Sequence, residues 1–318
     1  MKYYVGIDLG GTNIAVGVVD ENYQIISRSK MKTNAIRPAE PICDDMAAAV
    51  HMALKNASLT LKDVYWVGVG TPGTVDHTTG VIGYANNLDF HNVPIKKMME
   101  ERLGVKVYVE NDANAAAYGE AVAGAAKGVQ NMLAITLGTG VGGGIILDGK
   151  IYSGTHGAGG ELGHMGIVMG GRHCTCGRNG CIEAYASATG LINLTKEAMQ
   201  EHKDSKMWQF AESLEQVSGR TAFDAMREGD AYGEAVVDTY VEYLAYGLVN
   251  YINIFAPELI VIGGGISKEG EPFLKRIREK ISAQIYGDST VTRLACAQLG
   301  NDAGIIGAAF LGNLADNL

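Results

Sequence analysis

Two glycine turns in this chain are built like phosphate nests. The first is Asp8-Leu9-Gly10-Gly11-Thr12-Asn13 and the second is Leu137-Gly138-Thr139-Gly140. Each follows an apolar run, so its backbone N–H groups and a Thr hydroxyl gather at a strand end, where they suit phosphate oxygens. Gly10, Gly11, Thr12, Asn13, Gly138, Thr139 and Gly140 are therefore candidate nucleotide ligands, although the same turns also serve as ordinary hairpins. Asp8 would repel phosphate unless a cation lay between, and a water-mediated Mg²⁺ is the natural resolution. A third turn, Gly263-Gly264-Gly265, follows another apolar strand, and Gly264 and Gly265 join the candidates.

Asn111-Asp112 stands where an apolar strand, 105–109, meets an alanine-rich helical run, 113–126. One reading makes Asp112 the helix cap, which would lower its pKa through the helix dipole and keep it ionised. The other makes it the carboxylate that accepts a proton from an attacking hydroxyl. Phosphoryl transfer is mostly positioning and charge stabilisation, so a placed carboxylate suffices. The spacing alone leaves both readings open.

Cys174-x-Cys176-x₄-Cys181 is compact, and His164 precedes it by ten positions. Three thiolates and one imidazole complete a tetrahedral Zn²⁺ site with no open position, which makes the metal structural. Unliganded thiols or a redox pair are the alternatives. Glu161 and Glu183 flank the knot. They are either solvated or a pair of acceptors for vicinal hydroxyls. A metal on one nitrogen of His164 would orient the ring toward that same ligand.

The elements that must hold these residues follow from periodicity. Residues 3–19 read as strand, glycine turn and strand, and 24–32 as a third strand. Apolar residues at Ile42, Met46, Ala49, Val50, Ala53 and Leu54 give a helix over 41–57. Strands are expected over 64–70, 105–109 and 259–262, with helices over 93–103, 113–126, 234–255 and 303–314. Residues 196–232 carry little pattern. The stretch from Met132 repeats the stretch from Tyr4 at an offset of 128 positions, which suggests two related lobes. Alternating strands and helices give an α/β class.

Gly138-x-Gly140-x-x-Gly143 matches the dinucleotide fingerprint formally, but that motif needs a helix after the glycines. Here Gly144-Ile145-Ile146-Leu147 reads as a strand, so the nicotinamide reading is rejected. No P-loop and no protein-kinase signature set is present.

Length and composition set the remaining bounds. With 318 residues, 47% hydrophobic and 19% charged, the chain is globular, and two domains are the prior. A net charge of -9 argues against nucleic acid as a partner. The longest uncharged stretch, 132–147, is shorter than a membrane span and rich in glycine. No targeting segment is visible, and five cysteines with three clustered suit a reducing cytoplasm.

These motifs together resemble the ROK family of sugar kinases and repressors over nearly the whole chain. The resemblance rests on Asp8 to Thr12, Gly73, Asn111 to Asn114, Leu137 to Gly144, Glu161-Leu162-Gly163-His164 and the cysteine knot through Glu183. It implies an actin-like, hexokinase-type (ribonuclease H-like) α/β fold, with two lobes around an ATP and sugar cleft. A smaller lobe of 1–117 plus 303–318 and a larger lobe of 118–302 with the zinc loop are expected. The resemblance makes Asp112 the catalytic base and Gly73, Asn87, Asn111, Asp112, Glu161, His164 and Glu183 sugar ligands, with Asn86 an alternative to Asn87. It assigns zinc to His164, Cys174, Cys176 and Cys181. Implied cofactors are ATP, Mg²⁺ and structural Zn²⁺. The implied reaction is ATP-dependent phosphorylation of a hexose at its 6-hydroxyl, glucose first, with N-acetylmannosamine, fructose and allose as alternatives. A non-catalytic sugar sensor is the reading from another class. The family's repressors carry an N-terminal DNA-binding module, whereas this chain opens on its first strand, so an enzyme is expected. A homodimer or homotetramer is the expected assembly.

Overall fold

The computed structural model of the chain describes residues 2–287 and 292–315. The first strands are β1 (Tyr3–Leu9), β2 (Asn13–Asp20), β3 (Ile25–Lys32), β4 (Val64–Thr71), β5 (Thr74–Asp76), β6 (Val81–Ala85), β7 (Phe90–Val93) and β8 (Val107–Asn111). Five of them form one sheet in the order β3-β2-β1-β4-β8, and β5-β6-β7 form a small sheet of their own. β1 pairs antiparallel with β2, and β4 pairs parallel with both β1 and β8. That arrangement sets Asp8 opposite Gly70, and Asn111 opposite Thr71.

The later strands are β9 (Met132–Leu137), β10 (Val141–Leu147), β11 (Lys150–Ile151), β12 (Leu259–Gly264) and β13 (Arg293–Cys296). Their order, β11-β10-β9-β12-β13, repeats that of the first sheet position for position. The 128-residue repeat is thus a repeated topology, not a chance likeness of glycine-rich strands.

One face of the first sheet is covered by helix Ala39–Asn56. Its Ile42, Cys43, Met46, Ala49, Val50 and Ala53 are fully buried, an apolar stripe at helical spacing. The other face is covered differently. Helix Ala303–Ala309 (AGIIGAA) meets β1, β4 and helix Asp112–Ala123 backbone to backbone. A Cβ at Gly68 would overlap the Ala308 carbonyl, and one at Gly307 would overlap the Ala115 carbonyl. Small residues here draw helix Asp112–Ala123 tightly onto the sheet. Its far end is fixed by Glu120, 3% exposed, whose carboxylate accepts backbone N–H groups from Ala125, Gln298 and Leu299.

Several boundaries differ from the sequence reading for identifiable reasons. The closing helix breaks at Phe310 and resumes over Gly312–Ala315. The helix expected from 93 begins at Ile95, because β7 claims Val93. The long helix runs Ala231–Phe255, one turn earlier than read, because Asp230 caps it by accepting from the Gly233 N–H. Residues 196–232 contain the helices Met207–Phe210 and Thr221–Arg227, joined to that cap by a 2.6 Å bond from Ser205 to Asp230.

The chain divides into two compact units. One comprises Met1–Leu133, Gly144–Gly160 and Gln298–Leu318, and the other Ala134–Gly143 and Glu161–Ala297. The first unit therefore extends past the expected boundary at 117 and takes in 144–160 and 298–302. Among the described residues, no helix is long and apolar enough to cross a membrane.

The backbone approach at Gly307 generates a stability prediction. Gly307→Ala should lower unfolding stability by about 1–3 kcal/mol, despite alanine's better helix propensity, because a carbonyl must move. Gly265→Ala, where a Cβ meets open space, should stay within about 0.5 kcal/mol of the parent. Denaturant midpoints of the two variants provide the check.

Candidate functional site

In the first unit the candidate residues lie at the ends of three adjacent strands. β1 delivers Asp8 and the hairpin 9–13, closed by Gly10 N–H donating to the Asn13 carbonyl at 2.9 Å. The fully buried Thr33 braces this hairpin. Its hydroxyl donates to the Gly10 carbonyl at 2.6 Å, and its N–H donates to the Thr12 carbonyl. A Cβ on Gly11 would come within 3.3 Å of the Asn87 carbonyl, so candidate Asn87 stands against the hairpin. Neighbouring Asn86 accepts from the Tyr84 hydroxyl at 3.1 Å.

β8 delivers Asn111 and Asp112, and their roles differ from the capping expectation. The cap is Asn111. Its Oδ1 accepts the N–H groups of Ala113 (2.9 Å) and Asn114 (3.2 Å), while its Nδ2 donates to the Gly73 carbonyl at 3.0 Å. Gly73, at φ +94°, sits where a Cβ would overlap the Tyr84 carbonyl, so only glycine presents that acceptor unstrained.

Asp112 is the first residue of the helix proper and accepts one N–H, from Ala113, at 2.8 Å. Its pKa is raised rather than lowered: burial outweighs the backbone hydrogen bonds. Asp8 is raised to about 6, by burial first and by the nearby Asp112 charge second. Two half-buried carboxylates repelling one another form the donor chemistry that a hard cation relieves.

In the second unit the hairpin 138–140 is closed by Gly138 N–H donating to the Gly140 carbonyl at 3.0 Å. Helix Ala188–Glu201 braces it, with Ala188 N–H on the Gly138 carbonyl (2.8 Å) and the Thr189 hydroxyl on the Thr139 carbonyl (2.7 Å). The third glycine turn joins it, since Gly264, at φ +84°, packs on the Leu137 backbone where a Cβ would overlap. β10 follows the glycines as a strand, which removes the dinucleotide-fold reading.

Glu183 connects this hairpin to the knot. Its Oε2 accepts the Val141 N–H at 2.9 Å, while its Oε1 accepts from Cys174 (3.4 Å) and Thr175 (3.3 Å). A Cβ on Gly140 would strike that carboxylate. Position 140 is therefore glycine because Glu183 occupies the space a side chain would need.

His164, Cys174, Cys176 and Cys181 converge, with all four ligand atoms within 4.8 Å of one another. Cys174 Sγ lies 3.6 Å from His164 Nδ1, and Cys176 Sγ 3.6 Å from Cys181 Sγ. A tetrahedral ion with bonds of about 2.0–2.3 Å needs ligand atoms about 3.3–3.8 Å apart, so these four can hold a metal. Glu161, exposed, accepts the His164 N–H on its backbone carbonyl at 3.0 Å. The braces Thr33, Thr189 and Glu120 carry no sequence motif, since each acts on backbone distant along the chain.

The description of the matching family model is "ROK family", and it covers residues 4–314. The glucokinase of Halalkalibacterium halodurans is 38% identical over 314 residues, 98% of this chain and 94% of that protein. A ROK family glucokinase from Streptomyces griseus, solved in complex with glucose and AMPPNP, is 37% identical with a TM-score of 0.79, covering 97% of this chain and 98% of that one. The xylose repressor of Bacillus spizizenii is 30% identical over 288 residues, 89% of this chain and 70% of the repressor.

The raised pKa of Asp8 has a consequence for the metal-free protein. A carboxylate whose folded pKa is about 6, against 3.8 unfolded, contributes stability that is full below pH 3.8 and lost as pH rises through 6. Asp8→Asn should therefore gain stability over the parent across that window, reaching on the order of 1–3 kcal/mol above it. Denaturant unfolding in chelator at pH 4 and pH 7.5 measures this. An equal difference at both values would contradict it.

Proposed function

The chain belongs to the ROK family, and we propose that it transfers the γ-phosphoryl group of ATP to the 6-hydroxyl of a hexose, glucose foremost. The observation that carries this reading is the division of labour at 111–112. Asn111 takes the capping role, so Asp112 is held at the strand end as a carboxylate of raised pKa. Such a group is a better base toward a hydroxyl than an ordinary aspartate.

In the proposed step the sugar oxygen attacks the γ-phosphorus and its bond to the β-phosphate oxygen breaks. The hydroxyl proton passes to Asp112, and ADP leaves. The hairpins 9–13 and 138–140, with Gly264 and Gly265, are assigned to the nucleotide. Asn111, Glu161, His164 and Glu183, with Gly73 and Asn87, are assigned to the sugar. Asp8 would hold the Mg²⁺ that accompanies ATP and offsets phosphate charge. His164, Cys174, Cys176 and Cys181 would hold a structural Zn²⁺ that fixes the loop leading to Glu183. We read the setting as cytoplasmic, where ATP is supplied and clustered thiols stay reduced.

ADP release measured over a panel of hexoses and amino-sugars tests the activity, and glucose should give the highest kcat/KM. Likeness to a xylose repressor supports a second reading, a sugar sensor, which would bind sugar without releasing ADP. Asp112→Asn should lower kcat by about 10²- to 10⁴-fold while sugar binding by calorimetry stays within about threefold. Turnover close to the parent would remove Asp112 from the chemistry.

Elemental analysis should find one zinc per chain. Cys176→Ser should lose it and weaken sugar binding by about tenfold or more, since His164 and Glu183 both lose their support. A native protein without zinc, or a zinc-free variant of parental affinity, would refute this.

A further inference from the structure

We propose that His77 is a positioning residue, tying the loop that leads into Glu161 to the strand end that carries Asn111 and Asp112. The inference rests on the sugar-site reading of those residues, and it begins with a buried carboxyl group. Glu110 is 4% exposed, and burial raises its pKa. Its Oε1 accepts the Asn111 N–H at 2.7 Å and the Asn114 side-chain amide at 3.0 Å. Its Oε2 lies 3.2 Å from His77 Nδ1, and His77 Nε2 lies 2.8 Å from the Ser153 hydroxyl.

With Glu110 ionised, a neutral imidazole satisfies both ends. Nδ1–H donates to the carboxylate, and Nε2 accepts from Ser153. Glu110 immediately precedes Asn111, and Ser153 opens the loop 153–160 that runs straight into Glu161. The order of groups is that of a hydrolase triad, but Ser153 is only 9% exposed, which suits a tie and not an attack on a substrate.

The loop has further anchors on the same wall. The Ser153 carbonyl accepts the Gly159 N–H at 2.7 Å, which closes the loop on itself. A Cβ on Gly157 would overlap the Val75 carbonyl of β5 and come within 3.4 Å of His77 Nε2. The loop therefore lies on β5 and on the imidazole. The loop has no apolar anchor of its own: its composition, SGTHGAGG, offers a single alanine. A polar bridge to a buried carboxylate is what such a segment can use to keep one geometry. Only a side chain with two ring nitrogens spans Glu110 and Ser153 at these distances, so neither Asn nor Gln at 77 would replace both bonds.

The test is kinetic and local. His77→Ala and Ser153→Ala should each raise the sugar KM by about tenfold, with kcat and the ATP KM within about threefold of the parent. The double variant should match the single variants, because both remove one bridge. Ser153→Thr, which keeps the hydroxyl, should restore the parental KM. Hydrogen exchange in sugar-free protein should show loop 153–160 losing protection in His77→Ala while helix Asp112–Ala123 keeps it. Additive effects in the double variant, or a threonine that fails to rescue, would overturn the proposal. Unchanged exchange in the loop would overturn it whatever sugar the protein takes. If the parent phosphorylates no hexose, the functional reading fails while the exchange measurement still decides whether His77 holds the loop.

Discussion

The contact between helix Ala303–Ala309 and the strand–helix layer beneath it sets the position of the Asp112 carboxylate. Glycines at 6, 68, 119 and 307 let backbone meet backbone, with no side chain between to adjust the fit. Helix Asp112–Ala123 is consequently fixed against helix Ala303–Ala309 and β4, and Glu120 holds its far end through the nearby Ala125 N–H and the distant Gln298 and Leu299 N–H groups. A helix so constrained leaves its first residue little freedom. Asp112 therefore stands close enough to Asp8 for its charge to raise the Asp8 pKa, inside a half-buried place that keeps both from ionising as freely as in water.

The two glycine hairpins are alike in topology and unlike in what braces them. The first is held by Thr33 on the neighbouring strand segment and faces Asn87. The second is held by the start of helix Ala188–Glu201 and by Glu183. Because Glu183 accepts from the hairpin with one oxygen and from Cys174 and Thr175 with the other, the metal-spaced knot and the second hairpin are mechanically one piece. A metal held at 164, 174, 176 and 181 then has a function in this reading without any open coordination position. It would fix the carboxylate that holds the hairpin.

The braces in this protein are satisfied polar groups. Among the described residues, no buried side-chain nitrogen or oxygen lacks a hydrogen-bond partner. Thr33 and Glu120 bond backbone that lies tens to hundreds of positions away, while Glu110 bonds the next residue's N–H, the Asn114 amide and the His77 ring. A buried carboxylate costs desolvation energy unless donors surround it, so its presence marks a place where the fold needs a fixed geometry more than an apolar filler. Both Glu110 and Glu120 flank the helix that begins with Asp112.

The sequence alone determined the elements with strong local causes. Glycine turns after apolar runs gave both hairpins, apolar spacing gave a helix over 41–57 where Ala39–Asn56 is found, and the 128-residue repeat pointed to two related lobes, matched by two sheets of one strand order. The metal knot was legible because its ligands lie within eighteen positions of one another. Tertiary structure alone decided which residue caps helix Asp112–Ala123, because Asn and Asp at adjacent positions are equally good caps until Gly73 offers its carbonyl to one of them. It also decided the direction of the Asp112 pKa, where burial defeats the local hydrogen bonds that a sequence can foresee. The unit boundaries, the small sheet β5-β6-β7 and the row Glu110–His77–Ser153 were invisible beforehand for the same reason. Each is made by residues far apart in the chain, and no periodicity or spacing records which backbone a distant side chain will meet.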